Sequence, residues 1–142
     1  MTANAASKAG RKKASTLFKE AEVFSSFSVN DIQRAKQFYE QTLGLDLKQT
    51  AEGLELNTGG NKVFLYPKPN HTPASFTVLN FVVDDIEEAV DELKSLGVRL
   101  EHYDLPDLKT DERGICRGDS GPEIAWFKDP AGNILSVLEQ PA

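Results

Sequence analysis

The chain has 142 residues, 27% charged, 39% hydrophobic and 8% aromatic, which suits one compact domain or two very small modules sharing a core, and excludes a disordered chain. Its single cysteine, Cys116, cannot form an internal disulfide and excludes a zinc site of the paired-cysteine kind, a usage that suits the expected cytoplasmic location. The net charge of −6 divides unevenly: Lys8, Arg11, Lys12, Lys13 and Lys19 against Glu20 give residues 1–20 a balance of +4, so the rest of the chain holds −10.

Residues 1–20 read as a disordered basic leader. They lack the apolar stretch of a secretory signal, and a faint likeness to an organelle-targeting leader has only one arginine behind it. The acidic body repels phosphate backbones, so no nucleic-acid partner is expected; cationic or neutral small molecules suit it better. No apolar run approaches the roughly 20 residues that cross a bilayer, so no membrane partner is expected either.

From Ala21 onward one pattern occurs twice. The first unit opens with the alternating segment Val23 to Val29, then Asp31 as a helix N-cap and the apolar positions Ile32, Ala35, Phe38, Tyr39 and Leu43, stopped by Gly44. Strand-like stretches follow at Leu45 to Gln49, Gly53 to Asn57 and Asn61 to Tyr66. The second unit opens with Phe76 to Val83, then Asp85 with Glu88 as a capping box, then Ile86, Ala89, Val90, Leu93 and Leu96, stopped by Gly97. Its strands are predicted at Val98 to Tyr103, Pro122 to Lys128 and Asn133 to Glu139. The order is βαβββ, twice, with a first module over 21–68, a linker over 69–75 and a second module over 76–142, all one structural domain.

This duplication resembles the vicinal oxygen chelate superfamily, which contains glyoxalase I, extradiol dioxygenases and the bleomycin-resistance proteins. Its carriers are Val29-Asn30-Asp31 leading to Ala35-Lys36-Gln37-Phe38-Tyr39 and Leu43-Gly44-Leu45; Val83-Asp84-Asp85 leading to Leu96-Gly97-Val98; and the closing Phe127-Lys128-Asp129-Pro130-Ala131-Gly132-Asn133. The resemblance covers about residues 22 to 140. It implies an α+β fold in which two βαβββ modules form curved mixed sheets around a cavity, with the helices outside. It also implies a homodimer, since such modules pair within or between chains to close the cavity. An apolar stripe on each helix, unable to cover both faces of a sheet alone, agrees with that arrangement.

Strand alternation then assigns faces. Phe27 and Val29 go to the helix side, and Phe24, Ser26 and Ser28 go inward; Leu79, Phe81 and Val83 go to the helix, and Val78, Asn80 and Val82 inward. Phe64, Tyr66, Ser136 and Leu138 follow inward, with Trp126 as a further wall. In metal-dependent relatives, as the resemblance has it, an ion is held by His, Glu or Gln at four inward positions. Here those positions are Phe24, Phe64, Val78 and Ser136, and two phenyl rings, an isopropyl group and one hydroxyl make no divalent site. No metal and no other cofactor is expected. Glu139, on the opposite parity, reads as a surface or edge carboxylate.

Other chemistry-bearing residues read as ordinary. His71 sits in a proline-rich connector as an exposed loop residue, His102 lacks a partner motif, and Cys116 lacks a paired base despite Arg113 and Arg117 nearby. The long connection Asp104 to Gly121 has two readings. It is either a lid, with Arg113 or Arg117 meeting an anionic group and Tyr103 stacking on a ring, or a surface excursion with a short strand around Gly114 to Arg117. The functional expectation is a metal-independent protein that binds a small molecule, an antibiotic or an aromatic metabolite, through Phe24, Ser26, Ser28, Phe64, Tyr66, Val78, Asn80, Trp126, Ser136 and Leu138, with no catalytic residue assigned. Two alternatives stand beside it: a lyase, isomerase or dioxygenase-like enzyme with substituted ligands, recruiting His102 or Tyr66 as acid or base, and an interaction module whose cavity is filled by its own side chains.

Overall fold

The computed structural model of the protein describes residues 14–118 and 121–141. Up to position 13 the expected disordered leader lies outside the described residues; the rest of it begins with a one-turn helix, α1 (Ala14–Leu17). The first module follows: β1 (Ser25–Val29), α2 (Ile32–Lys36) widening into a π-helical turn (Gln37–Thr42), then β2 (Asp46–Gln49), β3 (Leu54–Thr58) and β4 (Asn61–Pro67). The second comprises β5 (Thr77–Val82), α3 (Ile86–Ser95), β6 (Asp104–Leu105), β7 (Leu108–Lys109), β8 (Ile115–Cys116), β9 (Glu123–Lys128) and β10 (Ile134–Glu139).

Each module carries a four-stranded mixed sheet, ordered β1-β4-β3-β2 and β5-β10-β9-β8. In both, the opening strand lies parallel to the last strand and the others are antiparallel. This is the expected α+β architecture. Period-two alternation produces it: Leu54, Leu56, Val63 and Leu65 line the helix side of the first sheet, and Ala125, Phe127, Leu135 and Val137 that of the second, all buried. Helix α3 presents Ile86, Val90 and Leu93 as one apolar stripe to the second sheet. Each such side chain stabilises by about 1.5–3 kcal/mol relative to exposure. The α3 N-terminus is capped by Asp85, which accepts from the Glu87 and Glu88 N–H groups, and by Glu139 of β10, whose Oε1 accepts from Ile86 N at 2.8 Å.

The π turn was not legible in the sequence. Leu43 N–H donates to Phe38 O, five residues back, at 2.9 Å. In an α-helix successive side chains diverge by about 100°, so adjacent rings rarely share one face; widening the turn lets Phe38 and Tyr39 both point inward. Their centroids lie 5.1 Å apart, edge to face, and Phe38 also reaches Phe127 of the second module at 6.5 Å.

The predicted strand Val98 to Tyr103 does not form. Only an isolated bridge, Leu100 to Phe127, remains there, and the chain then makes the β6–β7 hairpin before returning as β8, which takes the edge place beside β9. The Asp111 carboxylate causes the return: its Oδ1 accepts from Arg113 N and Ile115 N, both at 2.9 Å, and the tight turn this makes delivers Ile115 to the core. Near the start of β3, a Cβ added to Gly53 would stand 2.1 Å from the Leu65 carbonyl oxygen, a backbone atom that cannot step aside. Gly53→Ala is therefore expected to destabilise the fold by about 3 kcal/mol, read as a lower urea midpoint with an unchanged slope.

Candidate functional site

The sheet faces turned away from the helices are built from a few cross-strand rows. In the first module Ser26, Phe64, Glu55 and Lys48 stand in one row, and Ser28 stands beside Tyr66 in the next. In the second, Asn80, Ser136 and Trp126 form one row, and Val82, Leu138, Ile124 and Cys116 another. The second face is thus mainly apolar and the first mixed polar and aromatic. Both are open: Val82 is 65% exposed, Phe24, just before β1, 57%, and Tyr66 37%. Lys48, Glu55, Ile124 and Cys116 were not picked from the sequence as face residues; the register reveals them.

Two expected lining residues behave differently. Ser136 is fully buried and donates to Asn80 Oδ1 at 2.5 Å, so it orients the exposed Asn80 amide instead of offering its own hydroxyl to a guest. Val78 falls at an irregularity: β10 pairs Ile134 with Thr77 but Leu135 with Leu79. This bulge packs Val78 against the hydrophobic core and gives its place to Thr77, whose Oγ1 accepts from Trp126 Nε1 at 3.1 Å. A one-residue bulge breaks the parity on which the sequence assignment rested. Trp126 is also met edge to face by Tyr103, with centroids 5.5 Å apart. Burial first, and the Glu101 charge second, raise the Tyr103 phenol above its ordinary value.

A divalent ion is the group the resemblance brings to such a site, and the residues present do not fit one. At the four positions Phe24 and Phe64 have no donor, Val78 packs inward, and the Ser136 hydroxyl is already committed to Asn80. Among the described residues no group of three or more His, Cys, Asp or Glu side chains is placed to hold a metal.

At one end of the faces the two modules are joined by a polar clasp. Asp129 is buried and accepts from Tyr39 Oη at 2.7 Å, from the backbone N–H groups of Ala131 and Asn133 at 2.9 Å, and from Asn133 Nδ2 at 3.0 Å. Asn133 Nδ2 also donates to Ser28 O at 2.9 Å. The histidine read as an exposed loop residue belongs to this clasp. His71 is half-buried, its Nδ1 2.7 Å from Ser28 Oγ and its Nε2 3.0 Å from Ala131 O. A carbonyl only accepts, so Nε2 carries the proton and Nδ1 of the neutral ring accepts from Ser28. His102, placed by the sequence in the strand from Val98, is exposed and lies outside any strand.

Burial, then the Asp129 charge and the hydrogen bond to it, push the Tyr39 phenol well above its ordinary value of 10.0. A raised acid holds its proton more tightly when folded, so its stabilisation is complete below the unfolded value and is lost as pH rises above it. Thermal melts are therefore expected to show stability falling above about pH 10, with a shallower fall in Tyr39→Phe.

The long connection holds the short strand β8, and its arginines turn to the helix side. Arg113 donates to Glu87 Oε1 at 2.9 Å and pairs with Asp91, both on α3. Arg117 donates to Glu123 at 2.8 Å and Asp111 at 3.2 Å. Partial burial opposes the ionised form of Asp111, but the N–H groups of Ile115 and Arg113 together with Arg117 outweigh it and hold the carboxyl below its ordinary value. Arg113 and Arg117 thus pin the connection, while Tyr103 alone of the three expected lid residues joins the open face through Trp126.

With this geometry the chain can be placed. Residues 23–137 match the Glyoxalase/Bleomycin resistance protein/Dioxygenase superfamily, and the protein belongs to that family. Its fold is similar to lactoylglutathione lyase from Agrobacterium tumefaciens, with 21% identity and TM-score 0.60 over 84% of this chain and 93% of that one. The fosfomycin resistance protein FosX from Listeria monocytogenes gives 10% identity and TM-score 0.64, over 86% and 94% of the chains. TnmS3, an antibiotic binding protein from Streptomyces sp. CB03234, gives 24% and 0.58, over 86% and 98%. A comparison with curated proteins finds no match.

Proposed function

We propose that the protein binds a small organic molecule without a metal, and that the guest is an antibiotic or an aromatic metabolite. One observation carries this reading: the places where an ion would be gripped hold phenyl rings, a valine packed against the core and an already bonded serine, while Trp126 stands in the row of the oriented Asn80 amide and Phe24 and Tyr66 leave aromatic surface open on the first module. Apolar area with a few fixed polar groups is what small-molecule recognition needs. The family includes proteins that bind or resist antibiotics, TnmS3 and FosX among the structural neighbours.

The working form is a homodimer. A single chain leaves Val82, Phe24 and Tyr66 exposed on its open faces, and a second copy that covers them encloses the guest. Among the described residues no helix is long and apolar enough to cross a membrane, and the acidic body offers no footprint for nucleic acid.

Trp126 is the protein's one tryptophan, so its fluorescence reports directly on the face. Titration with bleomycin and with 2-naphthol tests the proposal. A saturable change with at least one of them, unaltered by EDTA, is expected. Fluorescence that does not respond to either, or a response that appears only with added metal, would overturn it.

A further inference from the structure

We infer that Ser28 and His71 form a nucleophile and base pair able to accept an acyl group from an aryl ester, a chemistry that binding alone does not require. An activated serine needs a base in hydrogen-bond reach and a third group that orients the base. All three are present: Ser28 Oγ lies 2.7 Å from His71 Nδ1, and His71 Nε2–H is anchored 3.0 Å from the Ala131 carbonyl. That anchor fixes the tautomer with Nδ1 free to take a proton, and the carbonyl dipole stabilises the imidazolium that results.

The site also has a donor for the developing oxyanion. Lys68 N–H donates to Val29 O, on the β4 side, whereas Ser28 O is taken by Asn133 from the other side. In an extended strand the N–H of a residue points the same way as its carbonyl, so Ser28 N–H faces away from β4, along the sheet edge that Asn133 of the second module reaches, where β1 has no further strand to take it. The nucleophile's own amide is then available to the oxyanion. Ser28 and His71 are both half-buried, and Tyr66, Ser28's partner across the sheet, is 37% exposed. Its ring offers a platform for an aryl leaving group.

The step balances. Ser28 Oγ attacks the ester carbonyl carbon as its proton passes to His71 Nδ1; the carbonyl–aryloxide bond then breaks, the aryloxide takes that proton, and an acyl-serine and a phenol result. p-Nitrophenyl acetate is the probe, followed by p-nitrophenolate release and by acid-quenched peptide mapping. Release is expected to be abolished by Ser28→Ala and slowed about 100-fold by His71→Gln, the usual contribution of a positioned base. Ser26, on the same face and more exposed but with no hydrogen bond to a histidine among the described residues, is an internal control that needs no variant. Acetyl on Ser28 in large excess over Ser26, or phenolate release that Ser28→Ala removes, supports the inference. Acetylation confined to amines, equal labelling of the two serines, or a folded His71→Gln that reacts at the wild-type rate would overturn it.

Discussion

Asp129→Ala is expected to lower the melting temperature by about 10 °C, one of the two largest effects foreseen for single substitutions. The carboxylate accepts from Tyr39, from two backbone N–H groups and from the Asn133 amide, and it is buried, so water does not replace it when it is removed. Each donor left without a partner costs roughly 1–3 kcal/mol, partly relieved by relaxation, so a total of about 3–5 kcal/mol is reasonable. For a chain of this length 1 kcal/mol moves the midpoint by a few degrees. Asp129→Asn, which keeps one acceptor oxygen, is expected to fall between. A melt of Asp129→Ala within a degree or two of the wild type would show that the modules hold together without the clasp, and that apolar contacts such as Phe38 with Phe127 suffice.

The second large effect concerns the open face. Phe64→Ala and Trp126→Ala are each expected to weaken binding of whichever probe saturates the wild type by about 30-fold, corresponding to loss of a central aromatic contact of about 2 kcal/mol. Phe64→Ala is followed by Trp126 fluorescence, and Trp126→Ala by calorimetry because the reporter is gone. The changes remove ring area without touching the clasp, so stability should move far less than affinity. Retained affinity in both variants would place the guest elsewhere on the molecule.

These two effects also mark how far the sequence could be read. The βαβββ repeat was legible because its signals are local: alternating apolar residues, Asp31 and Asp85 before each helix, Gly44 and Gly97 after. The site was legible only in outline. Alternation put Phe64, Tyr66, Asn80 and Leu138 on the open faces, but a bulge at Val78 changed which neighbour meets Trp126, and full burial of Ser136 changed what its hydroxyl can do. The clasp was out of reach because its partners lie far apart in sequence: Tyr39 with Asp129, His71 with Ser28 and Ala131. Prolines beside His71 signal a turn and say nothing of what the turn packs against. The π turn is similar, since it follows from the demand that two adjacent rings share the core, which is a tertiary demand. Arg113 and Arg117 show the limit from the other side. Their charge suggested a role toward an anionic guest, and their carboxylate partners on α3 and β9 give them a structural one.

The central claim is that this member of the family holds a guest on its open faces with no ion. Native mass spectrometry of protein purified without chelator tests it most directly, reading subunit number, bound metal and co-purified ligand in one spectrum. A dimer whose mass is that of two chains, alone or with an organic adduct, is the predicted result. One zinc, nickel, iron or manganese per chain, retained through desalting, would contradict it.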